Sequence, residues 1–265
     1  MTLLIEIVLI FLVALATGWM IHYGWKIEPF NVETNYYDVL VEDLPEVLEG
    51  MVLCQTSDVH LTGWGRNEVA IGAAIKQVKA DLFLFTGDMI HRQGGIARFL
   101  EWIDQFEGHV YPAIAVLGNA EHKSHVDNRP LLAGLRERSI LLLTNEVALV
   151  KLGDREIQVV GVDDPHTNHD DFTKAFASAD SNRFTLLLCH SPDGVVNLNG
   201  HRVDLMLCGH THGGQIRFPI FGAIAQNTKR LRGLAAGWYS GEKLASRAKC
   251  DVGRTQLYVS RGLGM

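Results

Sequence analysis

The sequence predicts an α/β fold, and three observations carry that expectation. Short apolar runs recur through residues 51–265 and read continuously instead of alternating, as strands covered on both faces do. Stretches with helical apolar spacing lie between some of them. Nearly every run ends on a small cluster of Gly, Asp, Asn or His, and the carboxyl ends of strands are where α/β sheets present their sites.

Taken in chain order, the first element is apolar. Ile7 to Trp25 contains no Asp, Glu, Lys or Arg and approaches the roughly 20 residues that span a bilayer. The opening MTLLIE carries Glu6 and no basic residue, unlike a cleaved signal peptide, and Trp19, Tyr23 and Trp25 fit an interfacial aromatic belt. Residues 1–27 are therefore expected to be an uncleaved membrane anchor. Lys26 lies on the domain side of the anchor, and the four cysteines (Cys54, Cys189, Cys208, Cys250) have no C-x-x-C spacing. Both features lean toward a cytoplasmic domain. Residues 28–50 read as a polar connector, within which NVETNYYDV alternates well enough for a strand before Pro45 breaks it.

From Met51 eight runs read as strands: MVLCQTSDVH, DLFLFTGDM, YPAIAVLGN, SILLLTNEV, EIQVVGVDD, FTLLLCHSPD, VDLMLCGHTHGG and QLYVSRGLG. Helices are expected over Asn67–Lys79 and Ile96–Phe106, from apolar residues at helical spacing. The cysteines ending MVLC, LLLC and LMLC read as small buried hydrophobes. At 47% hydrophobic and 20% charged, the 265-residue composition excludes a disordered chain. A net charge of −6 and a pI near 6.0 lack the basic footprint of a nucleic-acid binder. No obligate protein partner is evident.

The chemistry sits at the ends of the runs. Asp58 and His60 in SDVH are two residues apart, so at an extended strand end both project to one side. Asp88 in TGDM follows a glycine, and a carboxylate can bridge two cations. Asn119 in LGN, His190 in LCHSPD, and His210 and His212 in GHTHGG add oxygen and imidazole donors. Any one of these is ordinarily a turn residue. In this order, each closing an apolar run, they point to two divalent ions, which can clamp a phosphate between them.

This ordered set resembles the calcineurin-like metallophosphoesterase superfamily, whose pattern is D-x-H, G-D, G-N-H-[DE], H and G-H-x-H, across Met51–Met265. GHTHGGQIRFP and the closing YVSRGLG resemble its membrane-associated bacterial branch. The resemblance implies a β-sandwich flanked by helices in four layers, α-β-β-α. It implies that Asp58, His60 and His212 hold one metal, that Asn119, His190 and His210 hold the other, and that Asp88 bridges both. Hydroxide held between the ions would attack phosphorus in line, with no covalent intermediate. Nitrogen and oxygen donors without sulfur suit manganese, iron or zinc. Relatives with the SRGLG signature continue into a further strand, so the domain is expected to be cut short at Met265.

One departure bears on mechanism. The superfamily follows its Asn with a proton-donating His, whereas this chain reads GNAEH, with Ala120 in that place and His122 two residues on. Either His122 substitutes, oriented by Glu121, or the leaving group needs no acid, as a phosphate does not. His122 and Asp88 are thus the catalytic candidates. Arg92 and Arg217 are candidate phosphate contacts. His91, His125, His166 and His169 read as surface histidines, of which His125 and His166 are the better placed for substrate.

The resulting expectation is a membrane-anchored phosphohydrolase cleaving a phosphodiester or pyrophosphate, with no nucleic acid expected as a partner, and acting on a lipid-linked substrate such as UDP-2,3-diacylglucosamine. A nuclease or general phosphatase of the same superfamily, and a membrane-tethered metal-binding scaffold without activity, are the alternatives.

Overall fold

Two sheets stacked face to face account for the continuous apolar runs. The computed structural model describes residues 2–27, 30–106, 108–110, 112–214, 217–218, 222–223 and 228–264. In the first sheet β1 (Leu53–Thr56), β2 (Leu82–Thr86), β3 (Ala113–Val116) and β4 (Leu141–Leu142) lie in that order, all parallel. The second sheet runs β11 (Gly237–Tyr239), β12 (Gln256–Val259), β8 (Leu205–Cys208), β7 (Thr185–Cys189), β6 (Arg155–Val162), β5 (Glu146–Leu152). Its two outer pairs are antiparallel and the inner ones parallel. A small antiparallel ribbon joins β9 (Arg217–Phe218) to β10 (Gly222–Ala223).

Side-chain alternation distributes each run between two cores. Leu82 and Leu84 point between the sheets, where they meet Ile114, Val116, Val159, Leu186, Leu188 and Leu207. Phe83 and Phe85 point outward to α2 (Arg66–Ile75), α3 (Gly95–Asp104) and α4 (Arg129–Glu137), through Ile71, Phe99, Trp102, Ile103 and Leu135. On the far side, Leu187, Met206 and Leu257 meet Phe172 of α5 (Phe172–Ala175) and Leu244 of α6 (Gly241–Ala248). The architecture is the expected α-β-β-α. Each such leucine or phenylalanine contributes about 1.5–3 kcal/mol by leaving water.

Local expectations fare unevenly. The helices begin within a residue of the predicted Asn67 and Ile96 but end earlier than predicted. The described residues hold twelve strands, not eight. SILLLTNEV is split between β4 and β5 by a turn in which Asn145 has φ 56°. NVETNYYDV forms no strand. Val39 at its end, with Val41 and Leu44 just beyond it, instead packs partly buried on the core between the sheets. Tyr37 meets Trp238 edge-on at 5.7 Å, and Gln256 Nε2 donates to the Leu40 carbonyl at 2.6 Å. All four cysteines are free, and Cys189 and Cys208 are buried, as small hydrophobes are.

In the N-terminal helix α1 (Thr2–Lys26), the window of mean hydropathy 2.5 has no residue buried among the described residues. At 25 residues it is about 37 Å long, enough for a hydrocarbon layer of about 30 Å.

Candidate metal centre

Where the parallel strands of both sheets end, the chain turns sharply. Asp58, His60, Asp88, His210 and His212 have φ of 53°, 47°, 50°, 70° and 47°. This left-handed region costs a residue with a side chain roughly 1–2 kcal/mol. Five such residues in one place mark strain kept for a purpose. The turns aim polar groups at the carboxylates. The His210 amide donates to both Asp58 oxygens at 3.0 Å, Ser57 Oγ donates to Asp58 Oδ2 at 2.5 Å, and the Ala120 amide donates to Asp88 Oδ1 at 2.7 Å. The glycines before Asn119 and His210 are packing requirements. A methyl group at Gly118 would run into the Asp88 carboxylate, and one at Gly209 into Ser57 and Asp58. The closing SRGLG segment buttresses the first turn, since the Leu263 amide donates to the Ser57 carbonyl at 3.0 Å.

The donor atoms converge. His60 Nε2 lies 3.0 Å from His212 Nε2 and 3.3 Å from Asp88 Oδ2, and His212 Nε2 lies 3.5 Å from Asp58 Oδ1. His190 Nε2 lies 3.3 Å from Asp88 Oδ1, 4.0 Å from Asp58 Oδ1 and 3.3 Å from His210 Nδ1. Two groups result, Asp58–His60–His212 and Asp58–Asp88–His190, which share Asp58. Asn119 stands between Gly118 and Ala120, both of which touch Asp88. Asn119 Oδ1 is buried with no hydrogen-bond partner. A buried acceptor without a donor is costly, and a cation satisfies it.

Electrostatics agree with a cation site. The Thr86 carbonyl accepts from His190 Nδ1 at 2.8 Å, which fixes the tautomer and leaves the Nε2 lone pair facing Asp88. Burial alone would lower His190, but the Asp88 carboxylate outweighs it and holds the imidazole well above 6.5. Burial raises the Asp88 carboxyl, yet His190 and His60 bring it below the ordinary carboxylate range. Burial keeps His60 below the usual histidine value. A cation at this point takes over the charge that His190 otherwise supplies.

The neighbourhood of Ala120 corrects one expectation. Glu121 does not orient His122. Its buried carboxylate accepts from the amides of Asp88 at 3.0 Å, Ile90 at 3.1 Å and Gly118 at 2.8 Å, tying the G-D and G-N turns together. Burial and the nearby Asp88 push it up to about 7. His122 is held instead by Asp163, with Nε2 to Oδ1 at 2.6 Å, and stacks flat on His169 at 3.9 Å. Burial lowers His122, but the Asp163 bond prevails and its value is raised.

In the loop after β6, VDDPHTNHD, sequence reasoning singles out His166 and His169 but not Asp163, the partner of His122. Besides Asp163 and His169 it supplies His166, whose ring lies 4.5 Å from that of His210 and whose Nδ1 is buried without a partner. His166 is thus half-buried, whereas His169 and His91 are exposed as expected, His169 stacking on His122 and His91 meeting His60 edge-on at 5.7 Å. The sequence signal was present in two adjacent carboxylates and two histidines closing an apolar run. Arg92 is exposed beside His91, and His125 is exposed too. The side chain of Arg217 lies outside the described residues.

The family described as Calcineurin-like phosphoesterase matches residues 51–214. The uncharacterized metallophosphoesterase YkuE of Bacillus subtilis is 28% identical over 265 residues, covering 95% of this chain and 85% of that protein. Phosphodiesterase YaeI of Escherichia coli is 28% identical over 201 residues, covering 74% and 67% respectively. Among solved structures, calcineurin-like phosphoesterase YfkN of Bacillus subtilis aligns at a TM-score of 0.46 and 13% identity, over 81% of this chain and 82% of that one.

Proposed function

Since the chain belongs to the calcineurin-like phosphoesterase family and is a metal-dependent phosphoester hydrolase, we propose that it cleaves a phosphodiester or pyrophosphate bond in a lipid-linked substrate at a membrane surface. The observation that carries the reaction class is the pair of donor groups sharing Asp58 at the ends of both sheets. In this reading Asp58, His60 and His212 would hold one divalent ion and Asn119, His190 and His210 a second, with Asp88, which faces both His60 and His190, available to both; manganese, iron or zinc suits such donors. Ions so placed supply Lewis acidity toward phosphoryl oxygens and a lowered pKa for water.

The remaining work falls to the chain. Backbone amides hold the two aspartates in place, and the Thr86 carbonyl keeps His190 in the ligating tautomer. Ala120 is fully buried and offers no proton. With Nε2 committed to Asp163, His122 has Nδ1 for the leaving oxygen, and Asp163 favours its protonated form. A phosphate leaving group departs without much help, which favours a pyrophosphate or an activated diester over an alkyl monoester.

The lipid-linked substrate is supported by α1, which is exposed along its described length and suited to a bilayer. Lys26 at its domain end and the free cysteines favour a cytoplasmic domain. The test is hydrolysis of bis-p-nitrophenyl phosphate with added manganese, followed by competition among a nucleotide-sugar lipid, single-stranded DNA and a phosphomonoester. Turnover abolished in Asp88→Ala and preference for the lipid support the proposal. Equal turnover in Asp88→Ala would sink the enzyme reading, and preference for DNA would sink the lipid.

A further inference from the structure

The segment after α1 is attached to the domain at one particular end. The Phe30 amide donates to the Ile27 carbonyl at 3.1 Å, which keeps Phe30 at the end of the helix. The Phe30 ring then lies 5.0 Å beneath the guanidinium of Arg66, and Val32 packs on the core outside the first sheet. Arg66 is the first residue of α2, the helix that starts where β1 has just delivered Asp58 and His60. Four residues reach at most about 14 Å, so Lys26 is tied close to the carboxyl ends of the strands. From there residues 31–44 run back along the second sheet, past Tyr258 at Tyr37, to the start of β12 at Leu40. Arg254 fastens the far end through Asp43 at 3.4 Å. The connector is a packed strap, not a loose tether.

Resting on the reading of α1 as a membrane anchor, we infer that the metal-site end of the domain is a membrane-contacting surface whose partner is the lipid bilayer itself. Trp64 and Val69 flank the start of α2 and are 41% and 62% exposed. They form an apolar rim beside the anchor's exit, where an aromatic ring suits the headgroup boundary. Asn67 Nδ2, in the same turn, donates to the Leu263 carbonyl at 3.1 Å, tying this rim to the segment that buttresses Asp58. A substrate with its phosphate at headgroup level can therefore reach the site while its acyl chains stay in the bilayer.

The test uses full-length protein in vesicles of phosphatidylethanolamine and phosphatidylglycerol, with or without brominated acyl chains that quench tryptophan. In a Trp19→Phe, Trp25→Phe background, the difference made by Trp64→Phe isolates Trp64. Leu40→Trp in the triple-Phe chain reports the opposite end, where Leu40 is 88% exposed. The expected result is Trp64 emission reduced about twofold by brominated lipid, with Leu40→Trp unchanged. Unquenched Trp64, or equal quenching at both ends, overturns the inference. Wild-type Trp19 and Trp25 report separately: if they escape quenching as well, the anchor reading fails; if they are quenched while Trp64 is not, only the surface assignment fails.

Discussion

His122 Nε2 lies 2.6 Å from Asp163 Oδ1, a bond that joins the loop after β3 in one sheet to the loop after β6 in the other. If this pair delivers the leaving-group proton, its removal matters only where the leaving group is basic. His122→Ala is expected to lower kcat on an alkyl diester by about 10²–10⁴-fold and on bis-p-nitrophenyl phosphate by under about tenfold. Equal losses on both substrates would remove His122 from proton transfer.

Asp163→Asn tests the same bond through pH. Burial lowers His122 and Asp163 raises it, with a net rise, so the protonated form persists above the ordinary value near 6.5. Without the carboxylate, burial dominates and the alkaline limb of kcat moves to lower pH. The pair also stabilises the folded chain below about pH 6.5, and that contribution is lost as pH rises through the raised value. An unmoved limb in Asp163→Asn contradicts this assignment.

Asp88→Ala removes a carboxylate that faces both His60 and His190. Turnover is expected to fall about 10³-fold or more, with loss of bound metal measured by elemental analysis. A chelator should do the same to the wild type, reversibly on adding manganese.

Metal binding should strengthen with pH. Asp88 holds His190 protonated well above 6.5, so an entering cation displaces that proton. Apparent affinity then rises by up to about tenfold per pH unit for that proton, readable by calorimetry at pH 6 and 8. A flat profile would mean that His190 enters the site already neutral.

Glu121→Ala leaves three buried amides without an acceptor. It should cost about 3 kcal/mol or more by urea unfolding and weaken metal binding by about 10–100-fold, although Glu121 touches none of the proposed ligands by its own side chain except through their backbone. Its folded value is raised to about 7 from 4.5, so the folded chain binds the extra proton. The stability it confers is therefore greatest below pH 4.5 and erodes as pH rises through 7, and the cost of Glu121→Gln should shrink over that window.

Much of the fold was legible because burial leaves a periodic trace. Leu82–Phe85 could be read as a strand covered on both faces, and Ile75, Phe99 and Ile103 as helix faces, from spacing alone, whereas Val69 and Ala73, read on the same face as Ile75, are exposed and Ile71 is buried in their stead. The NVETNYYDV segment misled for the same reason. Alternation records which side chains face the protein, and Val39, with Val41 just beyond the segment, is partly buried against the core between the sheets without entering a ladder.

The sequence by itself marked a candidate donor set: Asp58, His60, Asp88, Asn119, His190, His210 and His212 each follow an apolar run, and chemistry restricts what such a set can bind. It also marked Ala120 as a departure and α1 as apolar enough for a bilayer. Only the tertiary structure decided what surrounds those residues. The partners that orient them come from distant strands: Asp163 for His122, the Thr86 carbonyl for His190, the Glu121 carboxylate under three amides. Sequence spacing constrains neighbours along one strand end, whereas hydrogen bonds between sheets depend on how two surfaces pack, and no local pattern encodes that.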